Sequence, residues 1–291
     1  MSVEGRDALL AAEGLGPDYG RTLDLVAQPL ADRAAAAHER MGRTAIIGIC
    51  GAQGSGKSTL AAVVRRLLVE AGLSAAVLSL DDLYLPRDAR AELARKVHPL
   101  FATRGPPGTH DVALGLSVLE GLGRPGAVAL PRFDKALDTR PTSGFERIEA
   151  PVDVVLFEGW CVGARPQAAA ALAKPVNALE ADEDPKRVWR RHVNRALAGP
   201  YAELFAKLDE LVLLQAPSFE VVAAWRGEQE RKLSDQLAAE GRPGATMDAA
   251  ELAHFISHYE RLTRHILAEM PARADWVVPL DANRRPFPEN T

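Results

Sequence analysis

Thr44-Ala45-Ile46-Ile47-Gly48-Ile49-Cys50-Gly51-Ala52-Gln53-Gly54-Ser55-Gly56-Lys57-Ser58-Thr59 is the stretch that decides how this chain folds. An apolar, isoleucine-rich run empties into a glycine-rich loop, and an amphipathic segment from Lys57 to Ala71 follows it. Strand, G-x-x-x-x-G-K-S loop and helix in that order form a phosphate-binding loop. The glycines let the backbone curl into a concave nest whose N–H groups point inward, where side chains at those positions would block an anion. Lys57 is placed to reach the β- and γ-phosphates and Ser58 to offer its hydroxyl to Mg²⁺, while the helix turns the positive end of its dipole toward the anion. The whole run Gly51, Ala52, Gln53, Gly54, Ser55, Gly56, Lys57, Ser58 and Thr59 is therefore a candidate nucleotide site. A glycine-rich turn opening an ordinary helix is the competing reading, and the flanking strand and helix count against it.

The rest of the composition is that of an ordinary globular protein able to bury a large core: 291 residues, 47% hydrophobic, formal net charge −4. No polybasic run is present, which argues against a nucleic-acid-binding or membrane-surface protein, so an anionic ligand must be met by local basic groups. The two cysteines, Cys50 and Cys161, end apolar segments without metal-ligand spacing and read as core residues of a reducing compartment. The first residues lack a signal-peptide pattern, and no window approaches the ~18 apolar residues of a membrane span, so a cytoplasmic protein is expected.

Residues 1–43 read as two or three Ala-rich helical pieces, broken at Gly14-Leu15-Gly16-Pro17 and at Pro29, forming a helical N-terminal extension or cap. Residues 44–291 read as the P-loop domain proper, with helices at about 182–206 in a lid-like position. After the loop a second strand is expected over Ser74–Leu80, then further strands at Ala127–Leu130, Asp153–Phe157, Glu210–Leu214 and Trp276–Leu280, with helices in most intervals. Short strands alternating with helices give an α/β fold of three layers: a mostly parallel sheet with helices on both faces and ligands at the carboxyl ends of the strands.

Those strand ends carry the candidate chemistry. Ser79-Leu80-Asp81-Asp82-Leu83-Tyr84 places a carboxylate where it can take the proton of an attacking hydroxyl; capping or turn formation is the plainer role for either aspartate. Val154-Val155-Leu156-Phe157-Glu158-Gly159-Trp160 runs an apolar strand into one acid, the form of a segment that helps hold a Mg²⁺ shell. In Pro131-Arg132-Phe133-Asp134-Lys135-Ala136-Leu137-Asp138-Thr139-Arg140, acids and cations interleave in a way that suits the hydroxyls and the negative group of a small substrate, or merely a solvated loop. Thr109-His110-Asp111 precedes a helix and reads either as an N-cap or as a polar substrate contact.

Two helical stripes need weighing. Arg187, Arg190, Arg191 and Arg195 recur at helical spacing after Asp184-Pro185, and Arg226, Gln229 and Glu230 share a face further on. Such arginines can close over transferring phosphates or simply form a solvated face. His254, His258, Arg261 and His265 also align, but the apolar residues opposite them make amphipathic packing the sufficient explanation.

Taken together, Gly51–Thr59, Leu78–Tyr84 and Val155–Trp160 resemble the small-molecule kinases that include uridine kinase, phosphoribulokinase and pantothenate kinase. Gly108-Thr109-His110-Asp111, Leu130-Pro131-Arg132-Phe133-Asp134-Lys135, Phe157-Glu158-Gly159-Trp160 and Trp225-Arg226-Gly227-Glu228-Gln229-Glu230 look more narrowly like the plant and fungal type of D-glycerate 3-kinase and its bacterial relatives. That resemblance runs from about Thr44 to Asp281. It implies ATP and Mg²⁺ as cofactors, Asp81 as base, Lys57 as phosphate contact, and Ser58 with Glu158 at the metal. Arg190 and Arg191 would be further nucleotide contacts. Asp82, Tyr84, His110, Asp111, Arg132, Asp134, Lys135, Arg140 and Arg226 would surround a small hydroxy acid whose phosphorylation yields 3-phosphoglycerate. A kinase for another small alcohol is the same-class alternative, and a non-kinase ATPase or nucleotide switch the different-class one. Neither a guanine-reading Asn-Lys-x-Asp nor a transporter-type Leu-Ser-Gly-Gly-Gln occurs.

Overall fold

The computed structural model describes residues 3–135, 137–141, 145–239 and 247–287. Its centre is a five-stranded sheet of order β2-β5-β1-β6-β7, built from β1 (Ala45–Gly51), β2 (Ala75–Ser79), β5 (Val154–Gly159), β6 (Glu210–Gln215) and β7 (Trp276–Pro279). Every pairing in it is parallel, and the register sets Glu158 beside Ile49 on one side and Ser79 on the other. All residues of β1 and β5 are buried, as expected of strands covered on both faces.

Alternation along β1 assigns residues to two cores. Ile47 and Ile49 face a core shared with α1 (Val3–Ala12), α3 (Gln28–Met41) and α4 (Lys57–Glu70). Ile46 and Cys50 face the opposite core, shared with α6 (Val112–Leu122), α8 (Pro200–Phe205) and α10 (Ala249–Glu269). The N-terminal helices are therefore a layer of the main core: Leu23, Leu30 and Ala34 are fully buried against the sheet. Pro29 does not break them. A short helical turn, α2 (Gly20–Thr22), runs through a π-turn at Leu23–Ala27 into α3, and the proline sits in the first turn of α3. A wider turn just before a proline accommodates the missing N–H and the ring without ending the helix.

A second correction concerns Ala127–Leu130, expected as another strand of the sequence of βα units. It forms β3 (Gly126–Ala129), which pairs antiparallel with β4 (Arg147–Ala150) as a separate two-stranded hairpin whose tip includes residues 130–135 and 137–141. The remaining helices are α5 (Arg87–Lys96), α7 (Val188–Ala198) and α9 (Phe219–Ala239). Among the described residues no helix is long and apolar enough to cross a membrane.

Candidate active site

The phosphate loop joins β1 to α4 as the spacing demands. Gly54 and Gly56 take left-handed backbone angles (φ +78° and +87°), and a Cβ added at Gly51 would lie 2.6 Å from Ser55 Oγ. Glycine is thus required by conformation at two positions and by space at a third. The first N–H groups of α4, at Lys57, Ser58 and Thr59, have no intrahelical acceptor and remain for a ligand. Ala52 and Ser55 are buried and Gln53 is half-buried.

Parallel pairing of β5 with β1 delivers Glu158 to this loop. Ser58 Oγ donates to Glu158 Oε1 at 2.9 Å, and Lys57 Nζ stands 4.0 Å from Glu158 Oε2. Glu158 is 3% exposed, and its Oε2 is buried with no hydrogen-bond partner. A buried carboxylate oxygen without a hydrogen bond is costly, and the Lys57 ammonium 4.0 Å away offsets part of that cost.

On the other flank β2 ends in a 3₁₀ turn, Leu80–Leu83, that separates the two aspartates. Asp81 Oδ2 accepts from Lys135 Nζ at 2.7 Å and Oδ1 from Tyr84 Oη at 2.7 Å. Burial by itself raises the pKa of this carboxyl. The charges of Lys135 and Lys57, with the two hydrogen bonds, outweigh that and hold it well below the usual carboxylate range. Asp82 is committed elsewhere: it accepts from Arg132 Nη1 (2.9 Å) and from the Phe133 N–H (2.9 Å), pinning the hairpin tip to the end of β2.

Within that tip, Asp134 and Thr139 pair across a bridge, and Asp134 Oδ1 accepts the Leu137 N–H at 2.9 Å, so Asp134 closes the loop. Asp138, itself at φ +54°, accepts from both Arg90 and Arg104. Asp111 Oδ1 caps α6 through the Leu114 N–H, the N-cap role expected of it, while its Oδ2 accepts from Arg140 at 2.9 Å. Arg132 also pairs with Glu146. Lys135, with 58% of its side chain exposed, is the most accessible cation bound to the aspartates of this strand end.

His110 is 5% exposed, stacks on the Tyr84 ring at 4.7 Å between centroids, and has its Nδ1 2.6 Å from Tyr201 Oη. Tyr201 Oη accepts the Gly108 N–H at 2.9 Å, so its own proton goes to His110 Nδ1 and the imidazole carries its hydrogen on Nε2. Burial pushes the His110 pKa down to about 3, and Nε2 is buried without a partner. Tyr84, whose hydroxyl burial and the Asp81 charge push well up, stays a proton donor. Sequence reading missed the residues that staple this loop: Trp160 Nε1 donates to Gly105 O (3.1 Å) and Tyr259 Oη to Arg104 O (2.9 Å). Single aromatics far away in sequence carry no spacing signal.

One expected nucleotide contact is corrected. Arg190 is 3% exposed and donates to the Leu172 and Asp184 carbonyls (2.9 and 2.7 Å) and to Asp184 Oδ2 (3.0 Å). Glu180 beside it accepts from Nε and Nη2 of the Arg261 guanidinium, both at 2.6 Å, so these ions tie this segment to α10. Arg191 lies exposed on α7. Arg226 lies over the Phe255 ring at 5.7 Å, against α10; the side chains of Gln229 and Glu230 lie outside the described residues. His258 and Arg261 are buried, in keeping with a packing role for that face.

Comparison with known proteins agrees with this geometry. The family described as methylmalonyl Co-A mutase-associated GTPase MeaB matches residues 22–84, a small part of the chain that holds the phosphate loop. The kinase mug58 of Schizosaccharomyces pombe, itself described as uncharacterized, is 34% identical over 229 residues, covering 75% of this chain and 79% of that protein. The chloroplastic D-glycerate 3-kinase of Arabidopsis thaliana is 29% identical over 265 residues, covering 84% of this chain and 54% of the plant protein. Among solved structures, D-glycerate 3-kinase from Cryptococcus neoformans var. grubii superposes with a TM-score of 0.73 at 24% identity, over 90% of this chain and 97% of that one, which shows a shared fold. The chain belongs to the P-loop kinase family that contains the fission yeast and plant proteins, and is an ATP-dependent phosphotransferase acting on an alcohol group of a small molecule.

Proposed function

We propose that this enzyme transfers the γ-phosphoryl group of ATP to the primary hydroxyl of D-glycerate, giving 3-phosphoglycerate and ADP. The observation that carries the reading is the Asp81 carboxylate, held at a strand end between Lys135 and Tyr84 within the field of Lys57. A carboxylate suited to accept a proton, beside a cation suited to bind a carboxylate, supports this reading. The plant relative's name points to the same acceptor.

In this reading ATP lies along the loop, with the N–H groups at the start of α4 and the Lys57 ammonium on its phosphates. The hydroxyl oxygen of the acceptor attacks the γ-phosphorus in line, the bond from that phosphorus to the β–γ bridging oxygen breaks, and the hydroxyl proton passes to Asp81. Lys135 shifts its hydrogen bond toward the acceptor's carboxylate, with Arg132 and Arg140 reinforcing the positive field. The neutral Nε2–H of His110 and the Tyr84 hydroxyl are donors for the acceptor's oxygens. Ser58 and Glu158 offer hydroxyl and carboxylate oxygen, the hard donors Mg²⁺ prefers, and buried Glu158 Oε2 has no hydrogen-bond partner, so these residues fit the ion. Bound there with phosphate and water oxygens, Mg²⁺ would neutralise charge on the transferring group. We propose the helices at about 182–206, α7 and α8 among them, as the lid-like segment of this enzyme.

A screen of small hydroxy acids, sugars and nucleosides for acceptor-dependent ADP release tests the proposal. D-glycerate should give the fastest release, and equal ADP release with no acceptor present would identify an ATPase instead.

A further inference from the structure

The chain after β7 does more than end the sheet. Leu280 bonds to Gln215, and the following turn is closed by Asp281, whose Oδ1 accepts the N–H groups of Asn283 and Arg285 at 2.7 and 2.8 Å. Arg284 sits at the tip of this turn with φ +66°, a conformation that a side chain with a Cβ adopts only at a cost and that the closed turn imposes. From there its guanidinium makes three contacts. Nε donates to the carbonyl of Gly54 at 2.7 Å, Nη2 pairs with Glu228 Oε2 at 2.7 Å, and the cationic carbon lies 5.3 Å from the centre of the Trp225 ring. Trp225 in turn donates Nε1 to Ala282 O at 2.7 Å, and a Cβ added at Gly54 would lie 2.8 Å from the Trp225 Cβ. Helix α9, the terminal turn and the phosphate loop thus meet at one arginine.

The Gly54–Ser55 peptide is held from both sides: its carbonyl by Arg284, its N–H by the Ala52 carbonyl at 3.1 Å. Fixing that plane fixes the direction in which the next N–H groups, those at the start of α4, are presented. We propose that Arg284 is a positioning residue for the nucleotide, locking the phosphate loop in its binding shape from outside the loop. This rests on the nucleotide role of the loop but not on the identity of the acceptor.

The test compares wild type, Arg284→Ala and Arg284→Lys by calorimetric titration with Mg·ADP, steady-state KM for ATP and for D-glycerate, and thermal melting without ligand. Arg284→Ala should bind ADP at least about tenfold more weakly and raise the KM for ATP by a similar factor, with the KM for D-glycerate within about twofold of wild type. Added ethylguanidinium should restore part of the ADP affinity of Arg284→Ala, and Arg284→Lys should lie between the two. Wild-type ADP affinity in Arg284→Ala, or an equal rise in both KM values, would overturn the proposal. Should Arg284→Ala not fold, Glu228→Gln serves: a selective rise of a few-fold in the KM for ATP is expected, and no change overturns it. A wild-type enzyme with no affinity for ADP would instead bring down the reading of the loop itself.

Discussion

Lys135 Nζ lies 2.7 Å from Asp81 Oδ2, so the strand-end carboxylate meets a cation carried on the tip of a separate hairpin before any acceptor arrives. Two consequences follow for the acceptor and for pH. Lys135→Ala should raise the KM for D-glycerate about tenfold or more and leave the KM for ATP nearly unchanged, because the lost ion pair is with the acceptor. Because Asp81 stays ionised far below neutrality in the free enzyme, kcat/KM for D-glycerate should be flat on the acid side down to about pH 5. Lys135→Ala should move the acid limb upward, as one of the groups that hold the carboxylate ionised is removed. Steady-state KM values and a pH profile of kcat/KM for D-glycerate at saturating Mg·ATP check both.

Lys57→Ala should nearly abolish turnover while leaving the fold intact, since Lys57 begins α4 with its ammonium 4.0 Å from Glu158 and belongs to neither of the two main apolar clusters. A loss of roughly 3 to 5 kcal/mol of transition-state stabilisation is expected. Circular dichroism together with single-turnover rates measures it, and an unchanged rate would remove this loop from the chemistry.

Asp81→Asn and Glu158→Gln should fail differently. The first keeps shape but loses the proton acceptor, so kcat falls by about 100-fold or more with ATP binding retained. The second leaves Ser58 in place and weakens the metal site, so activity should return at higher Mg²⁺. Normal metal dependence in an inactive Glu158→Gln, with Asp81→Asn fully active, would exchange the two roles.

The loop, Asp81 and Glu158 were legible because each lies where an apolar strand stops, and a strand's end is visible in sequence. The β3–β4 hairpin was not, since a short apolar run does not reveal whether its partner is parallel or antiparallel. Arg190 was misread for a related reason: helical spacing reports a shared face but not whether that face meets solvent or the buried carboxylate of Asp184. Pro29 looked like a break because the accommodating π-turn lies in backbone geometry alone. Arg284 and Tyr201 carry no motif, and their contacts form only when distant segments meet.

Two buried neutral histidines should make the fold acid-sensitive. Burial pushes His110 down to about 3 and His258 down to about 4, whereas both take up protons near pH 6.5 once unfolded. Between those limits the unfolded chain binds more protons. Their contribution is therefore complete above about pH 6.5 and is lost as pH falls, at about 1.4 kcal/mol per pH unit for each histidine. Urea unfolding from pH 7 to 4 should show that slope, and His258→Phe should make it shallower by about one proton. An unchanged slope in His258→Phe would mean that this histidine protonates in the folded state.

The central claim is most directly tested by phosphorus-31 NMR of the products formed from ATP, Mg²⁺ and D-glycerate, with uridine and glycerol as competing acceptors. The account predicts 3-phosphoglycerate in equal amount to ADP, with kcat/KM for either neutral acceptor at least about 100-fold lower for want of a carboxylate to engage Lys135. Phosphorylation of a neutral acceptor with higher kcat/KM than D-glycerate would contradict it, and inorganic phosphate as the only product would contradict the kinase reading altogether.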